Sequence, residues 1–372
     1  MRTRLFVPLA GAAAAVVLLA AGCSSGGPSN AAAAKTVNSE FAALQAMPPA
    51  QAEQKLVQEA TKEGSVNWYT VTQGDDANLL AQAFEKAYPG IKVNLTRSNE
   101  PGIANTFNTE TRAHHYNVDV LDDDVSYMDQ FHTSGLVANI PTFGIDVPAA
   151  DRGEWWVVPD IQPAIISWNT NLVPNSQAPT NYQDLLNPKW KGKLVIDVSP
   201  DSTVQTLIAS WGLPKATQWL TQLMNTQDPT ILQSHTQIDQ LMAAGKYAVC
   251  VECFAYDVVN LKDNDHAPLN YAVVNPTPTP TSPTVIAAHA PHPYAALLLL
   301  DWLASKPGAQ DMAKFGMVTQ TAGVNLGSSA LNQIRDSSTL FLDTPDKVGS
   351  IAAEAQNLVN TLVAAKVAGS GS

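Results

Sequence analysis

The chain has 372 residues, of which 45% are hydrophobic, and its formal net charge is −12 at pH 7. This hydrophobic content excludes global disorder, because a chain so rich in apolar residues can bury a core. The negative charge excludes nucleic acid as a partner, since binding to a phosphate backbone requires a basic surface. At about 100–200 residues per domain, the length predicts two domains.

The N-terminal segment indicates export. Arg2 and Arg4 precede an apolar run over residues 5–21, and Gly22 then comes directly before Cys23. A basic start, an apolar run and a small-residue site are typical of a secretory signal, and the run is short for a membrane span. With cysteine at the cleavage point, the segment resembles a bacterial lipoprotein lipobox. This resemblance implies a signal peptide over residues 1–22 and a lipid on Cys23, with an ordinary signal or a transmembrane anchor as the alternatives.

Residues 23–50 are predicted to form a lipidated tether. Residues 24–34 are small or polar and include Gly26, Gly27 and Pro28. Such a composition is typical of a flexible linker. We therefore expect the protein to be secreted and held at the outer face of the cell membrane by its lipid.

The next part of the chain alternates between strand and helix patterns. Helical periodicity is predicted over residues 50–63, 77–88 and 126–133, and short buried strands over residues 66–70, 91–95 and 118–121. Strands that alternate with helices favour a mainly parallel sheet that is covered on both faces.

The same α/β pattern returns in the middle of the chain. Strands are predicted over residues 161–168, 194–197, 247–251 and 270–274, and helices over residues 202–211, 215–224 and 237–244. The proline-threonine run at 276–283 indicates an extended connection, because proline does not fit a central strand. A strand over 285–288, helices from Pro293 and Pro307, and a final helix over 345–365 follow.

Two cysteines lie two residues apart in one predicted strand. An extended strand holds Cys250 and Cys253 too far apart for a disulfide, so a bridge requires a turn at Val251 and Glu252. A secreted location permits a disulfide. Two free thiols and a metal or redox C-x-x-C site are the alternatives.

Four segments in chain order resemble one protein family. They are Ala60–Gly64 (ATKEG) with Val66–Thr70 (VNWYT), Phe84–Val93 (FEKAYPGIKV), Leu185–Lys193 (LLNPKWKGK), and Ala290–Pro293 (APHP) with Leu300–Leu303 (LDWL) and Lys306–Gly308 (KPG). Together they resemble type 2 extracellular, or periplasmic, solute-binding proteins of ABC importers, especially the ferric-iron-binding branch. The third segment is the most distinctive.

This resemblance implies an α/β, two-lobed type 2 periplasmic-binding-protein fold, with two crossing strands and a central ligand cleft. The crossings are expected near Val158–Ala164 and Asn270–Thr284. Lobe 1 then begins with residues 51–160, lobe 2 spans 161–275, and residues 276–372 return to lobe 1 and add C-terminal helices. Lobe closure on the ligand is the expected mechanism.

Candidate ligand residues follow from the rule that ligands bind at the carboxyl ends of strands and at helix N-termini. The rule selects Tyr69, Thr70, Arg97, Ser98, Asp122, Asp123, Ser202, Thr203, Glu252 and Tyr256. Tyr69 could stack on a ligand or be a core aromatic, and Arg97 could bind an anion or be an exposed arginine. The helix start at Ser202 and Thr203 could bind an anion or serve only as a cap. Asp122 and Asp123 could bind a cation or a polyol, or form a solvated turn.

The ligand itself stays open. If it is ferric iron, Asp123, Glu252 and Tyr256 are the candidate ligands, but Phe254–Tyr256 holds one tyrosine where the ferric branch has a pair. The alternatives are a ferric ion or complex and a small organic anion or polyol. No cofactor is expected, since a bound ferric ion would be cargo.

The sequence favours a binding protein over an enzyme. Its literal G-x-S-x-G at residues 22–26 straddles the predicted cleavage site, and no zinc-protease, phosphate-loop or dinucleotide motif is present. The predicted function is the lipid-anchored substrate-binding component of an ABC importer, with a membrane permease as partner and a monomer as the expected state. A secreted hydrolase with unrecognised catalytic residues and a solute receptor that feeds a sensor are the alternatives.

Overall fold

The computed structural model describes residues 30–73, 75–141, 144–197, 202–232 and 234–370. The predicted signal peptide, the lipidated Cys23 and the start of the predicted tether lie outside the described residues. The same holds for residues 199–201 of the candidate ligand segment.

The described chain contains eleven strands: β1 Ser65–Thr70, β2 Lys92–Arg97, β3 Val120–Asp122, β4 Ala164–Asn169, β5 Leu194–Asp197, β6 Thr230–Leu232, β7 Val249–Phe254, β8 Leu269–Ala272, β9 Thr277–Thr279, β10 Thr284–Ile286 and β11 Leu340–Leu342. Its α-helices are α1 Asn30–Gln45, α2 Pro49–Glu63, α3 Asp76–Ala87, α4 Glu100–Arg112, α5 Val125–Thr133, α6 Ser202–Trp211, α7 Leu213–Gln222, α8 His235–Ala243, α9 Ala255–Asp263, α10 Pro293–Leu303, α11 Lys306–Lys314, α12 Ser329–Arg335, α13 Pro345–Val348 and α14 Ala352–Ser370. Short 3-10 turns lie at Ala149–Asp151, Asn175–Gln177, Asp184–Leu186 and Pro188–Trp190, and a π-helical turn at Leu223–Gln227.

The first sheet has four strands in the order β10-β3-β1-β2. Strand β1 is parallel to β2 and to β3, whereas β10 is antiparallel to β3. Trp68 and Val120 are register partners and belong to one buried cluster, while Tyr69 points into another. Both faces of β1 are therefore buried, as expected for a strand at the centre of an α/β sheet.

The second sheet has five strands in the order β6-β5-β7-β4-β8. Strand β5 is parallel to β6 and β7, and β4 is antiparallel to β7 and β8. The chain passes from the first sheet to the second between β3 and β4 and returns between β8 and β10. The predicted α/β organisation is therefore confirmed.

The proline-rich connection lies on the return path. Its strand β9 pairs in parallel with β11 in a separate two-stranded sheet, and Thr277 and Thr279 are buried there. The prolines thus stay outside both main sheets, as their missing N–H requires.

Part of the predicted tether segment is helical in the structure. Helix α1 begins within residues 24–34, which were expected to be flexible, and continues to Gln45; its Val37, Phe41 and Leu44 are at most 5% exposed. These three side chains recur at helical spacing and enter the cluster that covers the first sheet. Burial of this apolar stripe explains why the segment is ordered.

The C-terminal helix also differs from the prediction. The expected single helix is divided into α13 and α14, and Ala355 and Val359 of α14 pack into the cluster of the second sheet. At Gly349, between the two helices, an added Cβ would lie 2.8 Å from the Pro345 carbonyl oxygen and 3.1 Å from the Asp129 side chain. Glycine therefore permits the close approach to α5, and the last helix covers the second sheet.

None of the described helices is both long and apolar enough to cross a membrane.

Packing of α1 predicts a clear effect on stability. Phe41→Ala should lower the free energy of unfolding by about 3–5 kcal/mol, because the ring is fully buried. Ala43→Gln, at an exposed position of the same helix, should change it by at most about 0.5 kcal/mol. Urea denaturation followed by circular dichroism measures both. Equal stability of the two variants would show that α1 is not part of the cooperative core.

Candidate functional site

A cleft of about 920 Å³ lies between the two sheets. One wall comes from the first sheet, through Thr72 and Asp122, and the other comes from the second sheet, through Glu252 and Tyr256. Asp160, on the connection between the sheets, lines the space between the walls. The size suits a small ligand, since such sites typically span about 300–1,000 Å³.

Asp122 ends strand β3 at the floor of the first wall. Its carboxylate accepts hydrogen bonds from Trp68 Nε1 at 2.7 Å, Thr70 Oγ1 at 2.8 Å and the Val71 amide at 3.2 Å. Burial raises its pKa to about 6, although these hydrogen bonds favour the charged form. The donors fix the orientation of the side chain, so Asp122 is a rigid acidic element of the cleft.

Glu252 lies on strand β7 at an irregularity in the pairing of β7 with β4. Cys250 pairs with Ser167 and Cys253 pairs with Ile165, so two residues of β7 lie opposite one residue of β4. This bulge brings the Cα atoms of the two cysteines to 6.1 Å, and they form a disulfide. The bulge at Val251 and Glu252 replaces the turn that the sequence required. Of the three alternatives for this cysteine pair, the structure has the disulfide.

Glu252 is 6% exposed and lines the second wall. Its carboxylate accepts hydrogen bonds from the Thr203 side chain and from the Thr203 amide, at the start of α6. Burial raises the pKa of Glu252 to about 8, and the negative charge of Asp197 adds to the increase. Thr203 thus acts as a support beneath the wall rather than as a lining residue. The side chain of Ser202 lies outside the described residues.

Aromatic rings continue the second wall beside Glu252. Phe254 and Tyr256 lie with ring centroids 5.8 Å apart, and His235 stacks on Phe254 at 3.9 Å. All three line the cleft. Burial raises the pKa of the Tyr256 phenol above its ordinary value, and the carboxylate of Asp257 acts in the same direction. The phenol therefore stays protonated and can donate a hydrogen bond.

Five predicted site residues lie away from the cleft surface. Tyr69 is packed in the core and donates to Glu110 Oε1 at 3.1 Å, and Thr70 is buried beneath Asp122. Ser98 contributes a backbone hydrogen bond to the first sheet. Asp123 is fully buried, and burial raises its pKa to about 9. Thr203 supports Glu252 from below, as described above.

The other described candidates do line the cleft: Arg97, Asp122, Glu252 and Tyr256. Arg97 is exposed at the rim, where its Nε donates to the Thr72 carbonyl oxygen at 3.3 Å. The candidate ferric ligands are not brought together, because Asp123 does not reach the surface where Glu252 and Tyr256 lie. Among the described residues, no group of three or more His, Cys, Asp or Glu side chains is placed to hold a metal ion.

Several cleft residues were not predicted from the sequence, namely Asp76, Glu100, Asp160, His235, Asp257 and Asp263. Three of them lie in the first turns of α3, α4 and α9, and His235 begins α8. The sequence did contain a signal for these residues. Ligands bind at the carboxyl ends of strands and also at the N-terminus of the helix that follows each strand. Applied one turn further along the chain, this rule selects Asp76, Glu100 and Asp257.

Comparison with known proteins identifies a family. A family model described as bacterial extracellular solute-binding protein matches residues 79–337. No curated protein matches the sequence. Among solved structures, the iron-bound HitA from Pseudomonas aeruginosa superposes with a TM-score of 0.70 at 17% identity, covering 80% of this chain and 99% of the other.

Two further structures are similar. The Trichodesmium IdiA (FutA) protein in complex with iron and citrate has a TM-score of 0.67 at 24% identity, and covers 80% of this chain and 99% of its own. The ferric binding protein from Campylobacter jejuni has a TM-score of 0.69 at 18% identity with the same coverage. At these identities the likeness concerns the fold. It confirms the predicted two-lobed type 2 periplasmic-binding-protein fold.

The buried Glu252 predicts a pH-dependent stability for the protein without ligand. Its pKa rises from 4.5 to about 8 on folding, so the native state holds the proton more tightly than the unfolded state. The stabilisation is fully present below pH 4.5 and is lost as the pH rises towards 8. Glu252→Gln should reduce this loss by at most about 1.4 kcal/mol per pH unit.

Urea denaturation at pH 5, 6, 7 and 8 measures this dependence. Glu354→Gln, at an exposed position of α14, is the matched control and should keep the slope of the unmodified protein. An unchanged slope in Glu252→Gln would contradict the assignment.

Proposed function

The chain belongs to the bacterial extracellular solute-binding protein family, and on that premise we propose that it is a lipid-anchored receptor that closes its two lobes on a small solute. Family membership makes it a solute-binding component of an ABC importer on the outer side of the membrane, and not an enzyme. Its partners are a transported ligand and the permease of the importer. A bound ion or molecule is therefore cargo and not a cofactor.

The observation that carries the proposal is the cleft with polar side chains on two independent walls. Asp122 belongs to the first sheet and Glu252 to the second, so a ligand that contacts both is bound fully only when the walls approach. Such a ligand stabilises the closed arrangement by an amount equal to the difference between its free energies of binding to the closed and open states. Closure is thus the expected response to binding.

The proposed lobes follow the two sheets. Residues 51–160 begin lobe 1, residues 161–275 form lobe 2, and the chain returns to lobe 1 from residue 276. The C-terminal helix α14 is the exception, since it packs on the second sheet. The connections at Asp160 and Thr281 both line the cleft and are the proposed hinge segments.

A cargo retained during purification tests this function. Native mass spectrometry of the mature protein, purified in detergent from its bacterium, should show an added non-covalent mass. Removal of that mass should increase the radius of gyration in small-angle X-ray scattering, because the lobes separate. A protein without any added mass, whose radius of gyration does not respond to extracts of the growth medium, would contradict the proposal.

The lipid anchor is supported by the sequence around Cys23 alone. Cys23→Ala should abolish acylation and move the protein from the membrane fraction to the soluble fraction, because one cysteine carries the lipid. Ser24→Ala is the matched control and should stay with the membrane. Membrane fractionation with mass analysis of the N-terminal peptide measures both. Retention of an acylated N-terminus in Cys23→Ala would refute the anchor.

A further inference from the structure

Acidic side chains dominate the walls of the cleft. Among the described lining residues, eight carry carboxyl groups, two are lysine or arginine, and one is His235, whose pKa is lowered by burial. Neither Lys314 nor Arg97 forms an ion pair with Asp122 at the floor of the cleft. Lys314 is exposed and its Nζ lies 2.6 Å from Asp311 Oδ1, while Arg97 sits at the rim beside the Thr72 carbonyl. The empty space is therefore bordered by an excess of acidic groups.

Carboxyl groups of both walls line the same cleft, among them Asp76 and Asp122 on one side and Asp257 on the other. Burial raises the pKa of Asp257 to about 6, and the carboxylate of Asp76 on the opposite wall adds to the increase. Burial also raises the pKa of Asp160 to about 7, with further contributions from Asp122 and Asp76. Carboxyl groups of both walls thus share one poorly solvated space. A cation between them would favour their charged forms and draw the walls together.

The shape and chemistry of the cleft favour an organic cation over a bare metal ion. A volume of about 920 Å³ is far larger than a metal site requires. In the part of the chain that the structure describes, no metal-holding group of three His, Cys, Asp or Glu side chains is present. The adjacent rings of Phe254 and Tyr256 offer faces on which an ammonium group or an alkyl chain can pack. An anionic solute is the ligand least suited to these walls.

We infer that the cargo is an organic cation with two or more ammonium groups, held between Asp76 and Asp122 on one wall and Glu252 and Asp257 on the other. The inference rests on the proposed function, since it specifies the ligand of the same cleft. More than one ammonium group is required because each wall carries its own carboxylates, and a buried charge without a partner is strongly unfavourable. The carbon chain between the ammonium groups would contact Phe254 and Tyr256.

Isothermal titration calorimetry with defined probes tests this inference on the mature chain in detergent. We expect 1,4-diaminobutane or spermidine to bind, and to bind about 100-fold more tightly than 1-aminobutane or butane-1,4-diol, which lack one or both charges. Glu252→Gln and Asp257→Asn should each weaken binding about 30-fold or more, because each removes one of the two carboxyl groups that face the ammonium group on this wall. Glu354→Gln should bind as the unmodified protein does.

The opposite results are equally specific. Binding of ferric citrate, citrate, phosphate or Ca²⁺ without binding of either amine would overturn the organic cation as cargo while leaving the solute receptor in place. Failure of every probe would also overturn it, and the native mass spectrum would decide separately whether the protein carries a cargo. Amine binding that is unchanged in both Glu252→Gln and Asp257→Asn would place the amine outside the cleft and reject the inference.

Discussion

The cleft depends on the cost of removing carboxylates from water. Asp122 is buried at the floor of one wall and Glu252 on the other, and burial raises the pKa of each carboxyl group. Hydrogen bonds from Trp68, Thr70 and Thr203 offset part of this cost. They orient the two carboxyl groups and favour their charged forms. The folded protein is therefore prepared to receive a partner that completes their interactions.

The local backbone of β7 determines where Glu252 lies. Alternation along a regular strand would place Val251 and Glu252 on opposite faces, but the bulge places two residues opposite one residue of β4. The disulfide between Cys250 and Cys253 spans this bulge and fixes its shape. A covalent link next to a buried acidic group restricts the directions in which that group can relax. The backbone of the wall next to Glu252 is therefore covalently restrained.

The sequence predicted the α/β organisation because its strong signals are local. Helical periodicity over α3 and short apolar runs such as β1 identify elements without any tertiary information. Helix α1 was missed because residues 30–34 are one asparagine and four alanines without apolar periodicity, so only Val37, Phe41 and Leu44 mark the buried stripe. The site was predicted in part for a related reason. The position of Asp122 directly after a strand was enough to predict it. The side chains of Tyr69 and Asp123 point into the interior instead, and the direction of a side chain depends on packing that the sequence does not display.

The acidic walls of the cleft would affect the proposed closure of the two lobes. When the cleft is open, water solvates the carboxylates of each wall and weakens their repulsion. Asp76 and Asp257 already repel each other, since the charge of Asp76 raises the pKa of Asp257. Under the proposed mechanism, closure without a cation would remove water from between the walls and strengthen this repulsion. A cationic solute reverses the sign of this contribution, because it attracts both walls at once. In the closure mechanism that we propose, the charge of the cleft would therefore make closure conditional on cargo, and a permease that recognises the closed lobes would engage loaded receptors in preference to empty ones.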